Sequence, residues 1–307
     1  MDLEKKAYAI DRLVSADLPM RKTAPYLYSA SLEKAGKSLC LAAAEKLHER
    51  VKPGEAVFII TGFPIPPKNV CETDGPPGSA VLAFTLRELG IRPVLITDKL
   101  CEPVVKAVVD GAIPVELISI DRAKAEEEAE ELLAKYEPSA LVAIERPGWN
   151  SRGEYHTMRG YNISELVGKT DYLFLKARER GLLTVAVGDG GNELGCGLVE
   201  EVVKRYVPYG SECQCPCKAG IAAATPADVL VIAATSNWGA YAISAVLSLL
   251  SGVRYEHDGK RELLLLQRVL DAGGIDGVTG QPTLTVDGLP TTVNQLMVEL
   301  IWAIANA

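Results

Sequence analysis

The stretch Val185-Ala186-Val187-Gly188-Asp189-Gly190-Gly191-Asn192-Glu193-Leu194-Gly195-Cys196-Gly197 begins as a strand and ends as a loop. An apolar run that starts at Leu183 gives way at once to glycines and oxygen-bearing side chains. Glycine removes a side chain and opens backbone angles that other residues avoid, so the chain can approach a ligand closely there. A loop that only turned the chain would not need Asp189, Asn192 and Glu193 within five residues. The segment reads as the floor of an active site. The plainer alternative is a tight strand-to-helix turn with an acidic helix N-terminus.

Five further apolar runs share the strand's character: Val57–Thr61, Pro93–Thr97, Pro114–Ile118, Ala140–Ile144 and Val229–Ala233. Runs this continuous point to a sheet buried on both faces. Amphipathic stretches fit between them as helices, at Gly78–Leu89, Glu102–Asp110, Asp121–Tyr136, Asn192–Tyr206 and Tyr241–Leu250. This alternation predicts an α/β fold, a doubly wound and mostly parallel sheet of about six strands flanked by helices, in a Rossmann-like three-layer sandwich. An N-terminal helical segment within about residues 1–50 (roughly Leu32–Arg50) and a C-terminal helix over Val293–Ala305 should cover its faces or edges. No internal repeat or convincing linker interrupts the 307 residues, so residues 1–307 read as one domain with long active-site loops. In such folds ligands bind beyond the C-terminal ends of the strands. The long polar loops after the first, fourth, fifth and sixth strands should therefore meet on one edge.

Composition narrows the partners. The formal charge is −8, and no basic tract resembles a nucleic-acid footprint. Any anion site must be built locally from arginines and helix N-termini. Val229–Val253 is apolar and long enough to span a bilayer. The break at Thr235-Ser236-Asn237-Trp238-Gly239 divides it into a buried strand and a buried helix, so no membrane partner is expected. Seven cysteines, an odd number, and a start without an apolar signal core fit a reducing cytoplasm. The C-terminal helix around Leu296, Leu300, Ile301 and Trp302 can pack at home or against a second subunit, which leaves a homo-oligomer open.

Three loops carry the candidate chemistry. After the first strand, Glu72-Thr73-Asp74-Gly75-Pro76-Pro77-Gly78-Ser79 opens into a helix whose free N–H groups attract a carboxylate or phosphate. Asp74 is placed to cap that helix, orient a substrate amine or hold a cation. The spacing is neither a Walker loop nor a dinucleotide fingerprint, so NAD is not expected, and no haem or Fe–S motif is present. After the fourth strand, Glu145 ends a buried run, where a carboxylate needs a partner or a metal. A structural ion pair with an arginine is its plain reading. Arg146, Arg152 and Arg159 follow as candidate carboxylate clamps, and His156 is the one histidine in a likely site loop. His48 and His257 read as surface residues. Cys213-Gln214-Cys215-Pro216-Cys217 is too tightly spaced for the usual zinc pairs and lacks a second pair nearby. Three thiolates there are open to a soft metal or a redox loop, and the plain reading is a thiol-rich loop without metal. Gly273–Gly280 and Val286-Asp287-Gly288 read as loops that close over a site or as hairpin turns.

Thr73-Asp74-Gly75-Pro76-Pro77-Gly78, Glu145-Arg146-Pro147-Gly148, Gly188-Asp189-Gly190-Gly191-Asn192-Glu193 and Asp276-Gly277-Val278-Thr279-Gly280 occur in this order. In that combination the chain resembles the D-glutamate cyclase family, over nearly all its length from about Leu32. The resemblance is to the domain that forms the C-terminal part of a longer animal enzyme and that also stands alone in bacteria. It implies a hydro-lyase that interconverts D-glutamate and 5-oxo-D-proline with loss of water.

That reaction needs a base near the α-amine and an acid or cation near the γ-carboxylate. Glu145 or Asp189 suits the base, and His156 the acid. Arg146 or Arg152 suits a carboxylate clamp. Asp74, Gly75, Gly78, Gly190, Gly191 and Asn237 are expected around a small acidic substrate. Asp189, Asn192 and Glu193 offer hard oxygens to Mg²⁺ or Mn²⁺. Two other classes remain open: a metal-dependent phosphoryl-transfer or nucleotide-binding enzyme, and a non-catalytic binding protein for an acidic metabolite.

Overall fold

The computed structural model of the chain describes residues 2–307. Its centre is a six-stranded sheet of β1 (Ala56–Thr61), β2 (Arg92–Thr97), β3 (Val115–Leu117), β4 (Pro138–Ile144), β5 (Leu183–Gly188) and β6 (Val229–Ile232). All neighbours are parallel, in the order β3-β2-β1-β4-β5-β6. All six strands fall where the apolar runs place them. β1, Ala-Val-Phe-Ile-Ile-Thr, is buried at every position, as a strand covered on both faces must be.

The described residues form eleven α-helices. These are α1 (Leu3–Val14), α2 (Ala24–Ala35), α3 (Leu39–Arg50), α4 (Pro76–Glu88), α5 (Glu102–Val109), α6 (Arg122–Tyr136), α7 (Thr170–Glu179), α8 (Glu200–Tyr206), α9 (Ser236–Ser251), α10 (Gly259–Asp271) and α11 (Thr291–Asn306). One face of the sheet carries α3, α4 and α9, with α1, α5, α10 and α11 packed around them; α6 and α7 cover the other. This is the expected three-layer arrangement. The apolar run Val229–Val253 divides into β6 and the almost wholly buried α9. No helix among the described residues is long and apolar enough to cross a membrane.

Three helices go beyond the sequence reading: α1, α7 and the amphipathic α10. Two others differ in extent. The segment Leu32–Arg50 is broken at Gly36, which takes φ +67°, and Ser38 restarts the helix by accepting the Leu41 N–H. The helix expected from Asn192 starts only at Glu200, after a short 3₁₀ turn. The Glu193 carboxylate accepts the N–H groups of Asp189, Gly190 and Gly191, which holds this stretch as a loop.

The strand order reverses between β1 and β4. Their outgoing connections leave in opposite directions there and open a crevice at the C-terminal edge of the sheet.

Candidate active site

Two helix N-termini meet in the crevice, and two side chains lock them together. Asp74 precedes α4 yet accepts hydrogen bonds from Ser236 N (2.7 Å) and Asn237 N (2.7 Å) at the start of α9. Asn237, on α9, returns the favour: its Oδ1 accepts from Gly75 N (2.9 Å) and Gly78 N (2.8 Å), and its Nδ2 donates to Thr73 O (3.0 Å). Each residue therefore satisfies the free amides of the other's helix. The close approach requires glycine at both contacts. A Cβ at Gly78 would lie 2.9 Å from Asn237 Cα, and Gly75 takes φ +95° with its Cβ position 2.7 Å from Glu145 Cβ.

The lock presents carboxylates to one point. Oxygens of Asp74, Glu145 and Asp189 come within 4.8 Å of one another, and all three residues are buried. Glu145 leaves β4 with φ +42°, a left-handed conformation that a residue with a Cβ adopts at a cost of about 1–2 kcal/mol. It turns the carboxylate inward, where Ser236 Oγ donates to Oε2 at 2.5 Å. Burial first, and then the neighbouring Asp189, raise the Glu145 carboxyl well above its ordinary range. The same two causes push Asp74 up to about 8, although the Asn237 and Ser236 amides pull it down.

Beside the triad lies a cavity of about 600 Å³. Its polar wall includes Arg21, Glu72, Glu145, Asp189, Asp287 and Arg159. Phe63, Ile65, Pro66, Pro67, Met158, Tyr161 and Val278 supply the apolar part. Arg21 Nη2 reaches Asp189 Oδ2 at 2.7 Å, Asp287 Oδ2 at 3.2 Å and Ala234 O at 2.5 Å. Burial and neighbouring acids raise Glu72. Burial also raises Asp287, against the pull of Arg21. Four buried acidic side chains of the lining, with Asp74 beside Glu145 and Asp189, therefore face two arginines. The deficit of positive charge favours bound protons, a substrate ammonium or a metal cation. The oxygen-only donor set of Asp74, Glu145 and Asp189 fits a hard divalent ion such as Mg²⁺ or Mn²⁺.

Several expected residues sit elsewhere. Arg146 is fully buried and turned away from the cavity. It donates to Asp98 Oδ2 (2.7 Å), Gly62 O (2.9 Å), Gly168 O (2.7 Å) and Thr170 Oγ1 (3.1 Å). With four of its five donors engaged, it pins loops together and is not free to clamp a ligand. Arg152 is exposed and does not line the cavity. His156 is buried with Nε2 3.2 Å from Cys215 Sγ, outside the cavity lining and away from a proton-donor position. Glu193 is drawn back onto its own loop by the Asp189, Gly190 and Gly191 amides and by Cys196, so those glycine amides are not free for a substrate. Asn192 donates through Nδ2 to His156 O (2.8 Å), and its buried Oδ1 has no hydrogen-bond partner among the described residues. Asn237, Gly75 and Gly78 serve the helix lock.

Sequence reading missed Arg21, Glu72 and Asp287 as site residues. Arg21 comes from the α1–α2 connection, whose only signal was an Asp17-Leu18-Pro19-Met20-Arg21 break between helices. The Gly273–Gly288 region does close over the site. Thr73 N bonds to Ile275 O (2.9 Å) and Ile275 N to Cys71 O (3.1 Å), which brings Asp287 to the cavity wall.

Comparison with known proteins now bears on this geometry. Residues 10–302 match the family model described as D-glutamate cyclase-like, C-terminal. The chain is also similar to the human "D-glutamate cyclase, mitochondrial", with 34% identity over 233 residues, which is 70% of this chain. The match spans 36% of that enzyme's length, so the chain corresponds to about a third of its relative.

Proposed function

Because the chain belongs to the D-glutamate cyclase-like family, we propose that its acidic cavity is a hydro-lyase site interconverting D-glutamate and 5-oxo-D-proline. The observation that carries this reading is the set of buried carboxyl groups of Glu72, Glu145, Asp189 and Asp287 in the same cavity as Arg21 and Arg159, with burial raising Glu72, Glu145 and Asp287 above their ordinary range.

The chemistry asks for little net change in charge. The substrate ammonium gives up two protons as its nitrogen bonds to the γ-carbon, and the departing oxygen leaves with two protons as water. The site must move protons from nitrogen to oxygen and hold both ends of the chain together. A cluster of interacting carboxyl groups suits this task because one member accepts a proton while another gives one. Glu145 and Asp189 take the ammonium side, where their oxygens converge with those of Asp74. A protonated neighbour, Glu72 or Asp287, faces the leaving oxygen. Arg159 and Arg21 hold the substrate carboxylates, the role that Arg146 is too engaged to play. The apolar wall of Phe63, Ile65 and Met158 limits water, which otherwise favours the open form. Mg²⁺ or Mn²⁺, held by Asp74, Glu145 and Asp189, would supply Lewis-acid polarisation of the γ-carboxylate.

A phosphoryl-transfer reading has less support. Polyphosphate would meet four buried acidic side chains and two arginines, and the glycine amides at 190–191 are already taken by Glu193.

The test is mass spectrometry of 5-oxo-D-proline formed by purified protein from D-glutamate, with and without Mg²⁺ or Mn²⁺, and of D-glutamate formed from 5-oxo-D-proline. Product in either direction is expected. Unaltered substrates in every arm would overturn the reading.

A further inference from the structure

Outside the acidic cavity, a second cluster of ligating side chains stands unexplained. Cys213, Cys215 and Cys217 curl around a point that His156 approaches from another loop. The three sulfurs lie 3.2–3.4 Å apart. His156 Nε2 is 3.2 Å from Cys215 Sγ and 3.7 Å from Cys217 Sγ. All four ligand atoms fall within 4.8 Å of one another.

These distances are far beyond the roughly 2.05 Å of a sulfur–sulfur bond, so no pair here is a disulfide. They are close to the edges of a metal tetrahedron. Bonds of about 2.3 Å to sulfur and 2.0 Å to nitrogen imply edges of roughly 3.8 Å and 3.5 Å. From these residues we propose a Cys₃His zinc site formed by Cys213, Cys215, Cys217 and His156. Four protein ligands close the coordination shell, so the ion is structural and binds no substrate.

Independent contacts support a thiolate cluster. Asn150 Nδ2 donates to Cys217 Sγ (3.6 Å), and Asn162 Nδ2 donates to Cys215 Sγ (4.0 Å). Such donors around the sulfurs are what a thiolate–metal shell requires from its surroundings. No carboxylate bonds to these sulfurs, which favours a soft-ligand ion over Mg²⁺ or Ca²⁺.

The ion would join two loops that share no secondary structure. His156 belongs to the β4–α7 connection and the cysteines to the α8–β6 connection. Thr157, Met158, Arg159, Tyr161 and Asn162, which line the cavity, follow the histidine directly. Their turn is further tied to the cysteine loop through Gln214 N to Gly160 O (3.0 Å) and Gln214 Nε2 to Arg159 O (2.7 Å). The zinc therefore fixes one wall of the catalytic cavity without touching its contents.

The test begins with the full chain expressed in zinc-supplemented medium, desalted and analysed by plasma emission spectrometry. About one zinc per chain is expected. Titrating its thiols with a mercurial should release that zinc to a chromogenic chelator. Exchange for Co²⁺ should give the ligand-field bands of a tetrahedral site with thiolate charge transfer. Cys215→Ser/Cys217→Ser should lower bound zinc at least about tenfold. Stripping the metal should speed hydrogen exchange in residues 156–162 and leave the central strands protected. A chain without zinc, zinc retained after mercurial treatment, or an octahedral cobalt spectrum would overturn the proposal, and these measurements need no variant to fold. Unchanged exchange at 156–162 after stripping would overturn the wall-fixing role.

Discussion

Replacing Arg146 with methionine should damage the fold far more than the binding of substrate. The side chain is wholly buried and its guanidinium spans three strand ends. Removing it leaves the Asp98 carboxylate, 2.7 Å away, without its counter-charge. Breaking a buried pair by deleting one partner costs about 3–5 kcal/mol. The Gly62 carbonyl also loses its donor, at roughly 1–3 kcal/mol for a group left unsatisfied, while Gly168 O keeps the Thr170 N–H at 2.9 Å. The losses overlap, and three amides, of Leu100, Cys101 and Gly168, still solvate Asp98. A net cost of about 4 kcal/mol is therefore expected. In a chain of this size each kcal/mol lowers the melting midpoint by roughly 2–4 °C, so calorimetry should show a fall of roughly 8–16 °C. Arg146→Met/Asp98→Leu should recover much of this, because the stranded charge goes with its partner. The affinity of the folded fraction for D-glutamate should change little. A variant with an unchanged melting midpoint and a raised KM would refute the reasoning and restore Arg146 as a clamp.

Other perturbations address the acidic cavity. Glu145→Gln keeps an acceptor for Ser236 Oγ but removes a proton carrier, so cyclisation should fall by about 10²–10⁴ while the melting midpoint holds or rises; turnover at the wild-type rate would exclude Glu145 from the chemistry. Stability should decrease as pH rises from about 6 to 8. Glu72, Asp74, Glu145 and Asp287 all have folded pKa values raised above their unfolded ones, so the folded state holds more protons in that window and loses their stabilisation as they ionise, Asp74 near 8. A melting midpoint that is flat or climbing over this range would contradict the cluster's electrostatics. Gly75→Ala should cost about 1–3 kcal/mol and abolish cyclisation, because φ +95° disfavours a Cβ and the new atom would press on Glu145 Cβ. Full activity with unchanged stability would show that the lock tolerates more slack than its geometry implies.

The six strands were legible because burial on both faces writes consecutive apolar residues into the chain. The convergence of Asp74, Glu145 and Asp189 was legible for a related reason. Each lies in a polar loop that follows an apolar strand, and the C-terminal ends of parallel strands share an edge. What sequence spacing does not carry is distance across the fold. Arg21 meets Asp189 over 168 residues and Asp287 over 266, so nothing local marks it as a site residue. His156 meets Cys215 over 59 residues, so the cysteine triplet, read without it, looked too tight for the usual zinc pairs.

Arg146 sits away from its expected place for a subtler reason. A guanidinium just after a buried strand has the same local signature whether it holds a substrate or another loop. The distinction lies in strand order. β2 and β4 both flank β1, so Asp98 after β2, Gly62 after β1 and Arg146 after β4 arrive side by side. A cation delivered beside an acid on the same edge is paired before any ligand enters, and burial makes that pairing obligatory. Arg21 shows the converse. It enters from outside the sheet, keeps part of its side chain exposed and meets its acids at the cavity wall, where a substrate can compete for it. The arginines available to a ligand in this crevice are thus those that do not follow a strand directly, a rule that Arg159, thirteen residues beyond Arg146, also obeys.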